Sequence, residues 1–292
     1  MSKFNVNVKE CKGAVVVGDH AKLTIGATAG IPQEQHVPKQ ATSTRAHTPC
    51  QETGDDIIYQ AKSGYALVIN NYIFPQRTDV ERHGSGEDVK GLKSLFDDFN
   101  FTTRTHDNLK QSEILELLRE TSEKDFGRYD CFVCIILSHG FGDGIFGTDD
   151  VLIKIEAITS FFRRDECPSL EGKPKIFLIQ ACRGNQQDRV PIQRDSEPIP
   201  LASSSLPADA DFLICFASAP GHQSYRQPEL GSWFISTVVE IFKDYAEREH
   251  LMDMMLRVNN RVANFFSITG LKQIPCQVCM LRRKVFFNPT YK

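Results

Sequence analysis

Residues 173–187 read KPKIFLIQACRGNQQ, and this stretch decides the fold. From Ile176 to Ile179 the run is wholly apolar, the pattern of a strand covered on both faces, as in a mostly parallel sheet. It stops at Gln180, and Cys182 follows where the loop begins. A cysteine kept for packing belongs inside such a run; one just past its end stands at the carboxyl edge of the sheet, where open α/β folds bind ligands. Working outward, a second apolar run, CIILSHG at 134–140, ends on polar residues in the same way and delivers His139 and Gly140. If the two strands are parallel neighbours, a thiol and an imidazole share one edge. That pair is the minimum for thiol nucleophilic catalysis, because the imidazole favours the thiolate and later protonates the leaving group. Taken alone, the pair is also compatible with ordinary packed or solvated side chains.

The flanking sequence supports an α/β sheet protein. YALVINNYIF (65–74) and DFLICFASAP (211–220) read as strands, and PCQVCMLRRKVFF (275–287) reads as one last strand. Helical spacing sets Leu92, Leu95, Phe96 and Phe99 on one face and Ile114, Leu117 and Leu118 on another. Two further amphipathic helices are expected near 232–247 and 250–267. Residues 1–60 show no helical periodicity and read as a tail. Residues 185–210, rich in proline, serine and acidic residues, read as an exposed loop within the fold.

Composition bounds the function. The chain of 292 residues is 41% hydrophobic and 24% charged with a net charge of −3, ordinary values for a globular protein. They give no electrostatic reason to expect nucleic acid or an anionic membrane as partner. No run has signal-peptide or membrane-spanning length, so a cytoplasmic location is expected. Nine scattered cysteines do not form a disulfide framework. The two CxxC pairs, Cys131 with Cys134 and Cys276 with Cys279, lie in strand-like runs where residues three apart face opposite ways, so neither pair is expected to hold a metal. No cofactor is expected.

The motifs RHGSGEDVKGL, SHG, GIFGTDD, QACRG, ADADFLICFASAPGHQSYRQPELGSWFI and KQIPCQVCMLRRKVFF occur in this order between about residues 60 and 290. In that order they resemble the caspase family of cysteine-dependent, aspartate-directed proteases. The resemblance implies a three-layer sandwich, a central, mostly parallel six-stranded sheet with helices on both faces. It implies Cys182 as nucleophile, His139 as general acid/base, and the backbone N–H groups of Gly140 and Cys182 as an oxyanion hole. The pocket for a substrate aspartate would be walled by Arg82, Arg226 and Gln180. Two planar guanidinium groups suit a carboxylate. Ser224 would bind substrate backbone, and Tyr225, Gln227 and Trp233 would line the outer pockets. The dipeptide Ser224–Tyr225 before Arg226 resembles initiator caspases.

The same resemblance implies a zymogen activated by dimerisation and self-cleavage, with a role in apoptosis or inflammatory signalling. The expected parts are a tail at 1–60, a large subunit at 61–195, a linker at 196–209 and a small subunit at 210–292. Cleavage is expected after Asp195 in IQRD and after Asp209 in LPAD, with Asp55 and Asp56 available to release the tail. In the tail, AVVVGDHAKLTIG (14–26) is β-prone and resembles the RIP homotypic interaction motif through Val15, Val17, Gly18, Leu23 and Ile25, with Val16 where glutamine is usual. Such segments stack into β zippers and would assemble with proteins carrying similar motifs. The final strand is expected at a two-fold homodimer interface. Two other readings stay open: a catalytically weak relative acting as scaffold through its tail, and a basic-specific peptidase of the metacaspase type. Arginines in the pocket argue against the latter.

Overall fold

The computed structural model describes residues 58–77, 81–184, 207–265 and 272–289. The chain divides into two units, Met1–Cys50 and Gln51–Lys292, and all the described residues lie in the second. Asp55, Asp56, Asp195 and the segment 14–26 lie outside the described residues.

The strands in chain order are β1 (Ile58–Ala61), β2 (Gly64–Asn70), β3 (Phe101–Asp107), β4 (Cys131–Leu137), β5 (Gly140–Phe141), β6 (Gly144–Phe146), β7 (Leu152–Lys154), β8 (Lys175–Gln180), β9 (Phe212–Phe216), β10 (Arg226–Gln227), β11 (Gly231–Ser232), β12 (Cys276–Cys279) and β13 (Lys284–Phe287). The helices are α1 (Ser85–Asp98), α2 (Gln111–Ser122), α3 (Ile155–Ser160), α4 (Trp233–Tyr245) and α5 (Leu251–Asn264). A six-stranded sheet of order β12-β9-β8-β4-β2-β3 forms the middle layer. Five of its strands are parallel, and β12 runs antiparallel to β9.

Alternation along the strands builds two cores. Val133, Ile135 and Leu137 of β4 face the side covered by α1, α4 and α5. Phe132, Cys134 and Ile136 face the side covered by α2 and α3. Every residue of β2, β4 and β8 is buried, which is why those runs carry no polar alternation. Cys131 and Cys134 fall in opposite cores, and burial drives both thiols well above their ordinary range. Among the described residues no helix is long and apolar enough to cross a membrane.

One expectation is corrected. The apolar run 275–287 is not a single strand but two in different sheets. β12 closes the edge of the main sheet, whereas β13 pairs in parallel with β1. The turn between them is fixed by charge: Asp211, fully buried, takes two hydrogen bonds from Arg282, at 3.0 and 2.9 Å, and one from the Tyr59 hydroxyl at 2.5 Å. A carboxylate so buried must be paired, so the chain turns at Arg282 to reach it. β1 also takes in residues 58–60, which the sequence reading gave to the tail.

Candidate active site

The register of β4 and β8 sets the site. Leu137 pairs with Gln180, and the ladder continues as Ser138 N–H donates to Gln180 O at 3.2 Å. His139 and Cys182 are each two residues beyond that paired rung, so both leave the sheet at the same carboxyl edge. A Cβ placed on Gly140 would lie 2.8 Å from Cys182 O and 2.8 Å from Ala181 Cβ. Only glycine allows these two backbones to approach so closely. The His139 imidazole packs edge-on against Phe74, with ring centroids 4.6 Å apart, and His139 O accepts from Phe146 N at 2.9 Å.

Cys182 is partly exposed. Ser224 N–H donates to its sulfur at 3.5 Å, and Ser224 Oγ lies 3.7 Å away. Ser224 Oγ also accepts from Gln180 Nε2 at 3.1 Å. The loop after Cys182 is pinned by Arg183, whose guanidinium lies 4.0 Å over the Phe216 ring and pairs with Asp143. Its backbone exchanges hydrogen bonds with His222 and Gly221.

The two arginines come from distant segments. Arg82 is 2% exposed and donates from Nη1 to Asn71 O at 3.1 Å. Arg226 donates from Nε to His83 O at 2.5 Å. Burial, and then repulsion from Arg226, pushes Arg82 down to about 9, while Asp88 and the Cys182 sulfur act the other way. Burial lowers Arg226 as well. Two guanidinium groups that repel one another, one of them wholly buried, favour an anion beside them.

Further out, Tyr225 and Trp233 rings lie 5.1 Å apart, and Phe265 meets Trp233 edge-on at 5.6 Å. A cavity of about 300 Å³ is lined by Gln227, Leu230, Trp233 and Phe265 among others. Tyr225 N–H is held by buried Gln273 at 2.7 Å. Asp209 is exposed, paired with Arg163 at 2.7 Å, and its neighbour Asp211 is bound by backbone to Met280.

The structure thus gathers Cys182, Gly140, Gln180 and Ser224 around one strand edge, with Arg82 and Arg226 linked beside them and Tyr225, Gln227 and Trp233 beyond. Sequence reasoning missed Asp88, Arg183, Leu230, Phe265 and Gln273. Asp88 left a trace: it lies four residues before Leu92 on the apolar stripe of α1, where a charge is out of place.

The model of the caspase domain (peptidase C14) matches residues 63–286. Caspase-3 of Mesocricetus auratus is 40% identical over 233 residues, covering 77% of this chain and 83% of that protein. Caspase-3 of Oryctolagus cuniculus and of Mus musculus are each 39% identical with the same coverage. With the sheet order, the strand-edge cysteine and histidine, and the similarity extending over most of the chain, this protein belongs to the caspase family.

Proposed function

We propose that the protein is a cysteine endopeptidase that cleaves protein substrates after aspartate. The observation that carries this is the placement of a strand-edge thiol, Cys182, beside one buried guanidinium group, Arg82, and one half-buried, Arg226. An extended substrate would lie along β10, contacting Ser224 and the outer cavity, in strand-addition mode. Its aspartate carboxylate would enter between Arg82 and Arg226, with Gln180 as wall. The Cys182 thiol gives its proton to His139, and its sulfur attacks the scissile carbonyl carbon, forming the C–S bond while the carbonyl oxygen takes up the negative charge, facing the Gly140 and Cys182 N–H groups. Collapse breaks the C–N bond, and His139 gives the departing amine its proton. Water then cleaves the thioester, His139 taking a proton from it, and the thiol is restored.

The finer reading is an initiator-like zymogen, supported by Tyr225 beside Arg226 and by the aliphatic residues Ile192 and Leu206, each three places before a candidate cleavage aspartate. Self-cleavage after Asp195, with Asp209 as a second position, would separate the large and small subunits, and Asp55 or Asp56 would release the tail. Assembly would proceed through segment 14–26 and through a two-fold pairing at β12. That edge strand leaves Val278 45% exposed, an apolar liability in a monomer.

The test compares matched Ile-Glu-Thr-Asp, Ile-Glu-Thr-Asn and Ile-Glu-Thr-Arg reporters, with Cys182→Ala beside the native enzyme. Cleavage of the aspartate peptide alone, lost in the variant, is expected. No cleavage after deliberate dimerisation and linker scission sinks the proposal in favour of a scaffold.

A further inference from the structure

The aspartate pocket contains a charge that the catalytic scheme does not use. Asp88, in the first turn of α1, is 2% exposed. Its Oδ1 accepts from Ser232 N at 2.8 Å, and Ser232 is the cross-strand partner of Arg226 in the β10–β11 pair. Gly231 beside it has φ +82°, and any Cβ there would run into Asp88 Oδ1, so the carboxylate fills the space of a missing side chain. On the other side, Arg82 belongs to the segment that leads into α1: Arg82 O accepts from Ser85 N at 3.2 Å and Gly84 O from Asp88 N at 3.5 Å. The bond from Arg226 to His83 O closes the circuit. Asp88 Oδ2 is buried with no hydrogen-bond partner among the described residues. A packing role would be better served by the leucine and phenylalanine that fill the rest of this stripe.

We propose that Asp88 is a positioning residue of the aspartate pocket, a built-in counter-ion shared by Arg82 and Arg226 that competes with the substrate carboxylate for both. The inference rests on the aspartate-directed reading above. In the empty site two cations face one anion, and the carboxylate keeps the Arg82 segment and β10 from repelling each other apart. When substrate enters, two carboxylates share two guanidinium groups, so each is held less tightly than it would be alone. The resident anion limits the affinity for aspartate and eases departure of a product that still carries it.

Protonation should relieve the competition. Burial raises the Asp88 carboxyl to about 6, against the pull of Ser232 and both arginines. Below that pH the pocket presents two uncompensated cations, so the KM for an aspartate peptide should fall as pH drops from about 7.5 to 6. The other titratable or charged groups nearby are Glu81, Arg82 and His83 on the preceding segment, Glu87 on α1, Arg226 on β10, and Cys182 with His139 at the strand edge. All are common to wild type and variants, so the difference between them isolates Asp88.

The experiment measures kcat and KM for the Ile-Glu-Thr-Asp reporter in wild type, Asp88→Asn and Asp88→Ala between about pH 5.5 and 7.5 at low salt. Asp88→Asn keeps the acceptor for Ser232 and removes only the charge. It should lower KM about three- to tenfold near neutral pH, change kcat less, and abolish the pH trend in KM. Asp88→Ala also loses the Ser232 bond and should raise KM. A KM for Asp88→Asn equal to or above that of wild type overturns the inference, as does a wild-type KM that stays flat toward pH 6. If Asp88→Asn does not fold, Asp88→Ala takes its place over the same pH range, and a fall in KM toward pH 6 that persists in it overturns the inference. If wild type cleaves no aspartate peptide, the functional reading falls and this inference with it; cleavage with an unmoved KM overturns this inference only.

Discussion

Replacing Gly140 by alanine tests whether the closeness of the two strand ends is what the chemistry needs. The added methyl carbon would meet Gly144 O at 2.7 Å, Ala181 Cβ at 2.8 Å and Cys182 O at 2.8 Å, whereas ordinary contact begins at 3.4 Å. The gap must therefore open by about 0.6 Å on several sides. None of these neighbours is a flexible side-chain end. Gly144 is paired in β6, Ala181 is buried, and Cys182 carries the thiol. The least constrained response is a shift of the Cys182 peptide away from Gly140, which moves both the nucleophile and an oxyanion donor. Misplacement of this order costs roughly 10- to 100-fold in rate, and the overpacking costs about 1–3 kcal/mol of stability. The assay is kcat/KM on the aspartate reporter, normalised by active-site titration, with thermal unfolding to show that the fold persists. A folded Gly140→Ala enzyme with more than half of the wild-type kcat/KM would refute the reasoning.

Arg226→Lys removes the planar fork and the bond to His83 O, and should lower kcat/KM for aspartate peptides by about two orders of magnitude, chiefly through KM; a loss below about fivefold argues against a bidentate contact. Asp211→Ala leaves the Tyr59 hydroxyl without its acceptor and Arg282 without its counter-ion, and because Arg282 keeps its bond to Tyr59 and can still reach water the cost should be near the lower end of about 3–5 kcal/mol. Urea unfolding of the uncut Cys182→Ala protein measures it, and a change under about 1 kcal/mol contradicts the pairing. Tyr59 is raised from 10.0 to about 12, first by burial and then by its bond to Asp211 and the charge there. The stability this contributes is complete below pH 10 and is lost as pH rises toward 12. Urea midpoints measured across that range should fall more steeply for wild type than for Tyr59→Phe, and parallel curves would exclude the effect.

Much of the site could be read from the chain because its key residues follow buried strands. An uninterrupted apolar run ending on polar residues marks a strand edge, and two such runs put Cys182 and His139 at one edge on the condition that their strands are parallel neighbours, which β4 and β8 are. The pocket arginines were legible only through motif resemblance, since nothing local distinguishes Arg82 or Arg226 from a solvated charge. Asp88 was missed although it is a charge on an apolar stripe, because its partner Ser232 lies 144 positions away. Of the outer cavity, the resemblance named Gln227 and Trp233, whereas Leu230 and Phe265 join them only through tertiary packing. The division of the last apolar run depends on Asp211 capturing Arg282, a contact across 71 positions that no window of periodicity spans.

The parallel pairing of β1 with β13 joins Ile58–Ala61 to Lys284–Phe287, and Tyr59 reaches Asp211 and Arg282 across the same seam. In one continuous chain these contacts close a very long loop, whose entropy grows only slowly with length. A cut between residues 184 and 207 leaves them intact but changes the kind of equilibrium they belong to. Folding of one molecule becomes association of two, so recovery after unfolding depends on concentration. The severed protein keeps its shape for as long as its halves remain together. Once they part, dilution works against their reunion, and scission acts as a ratchet.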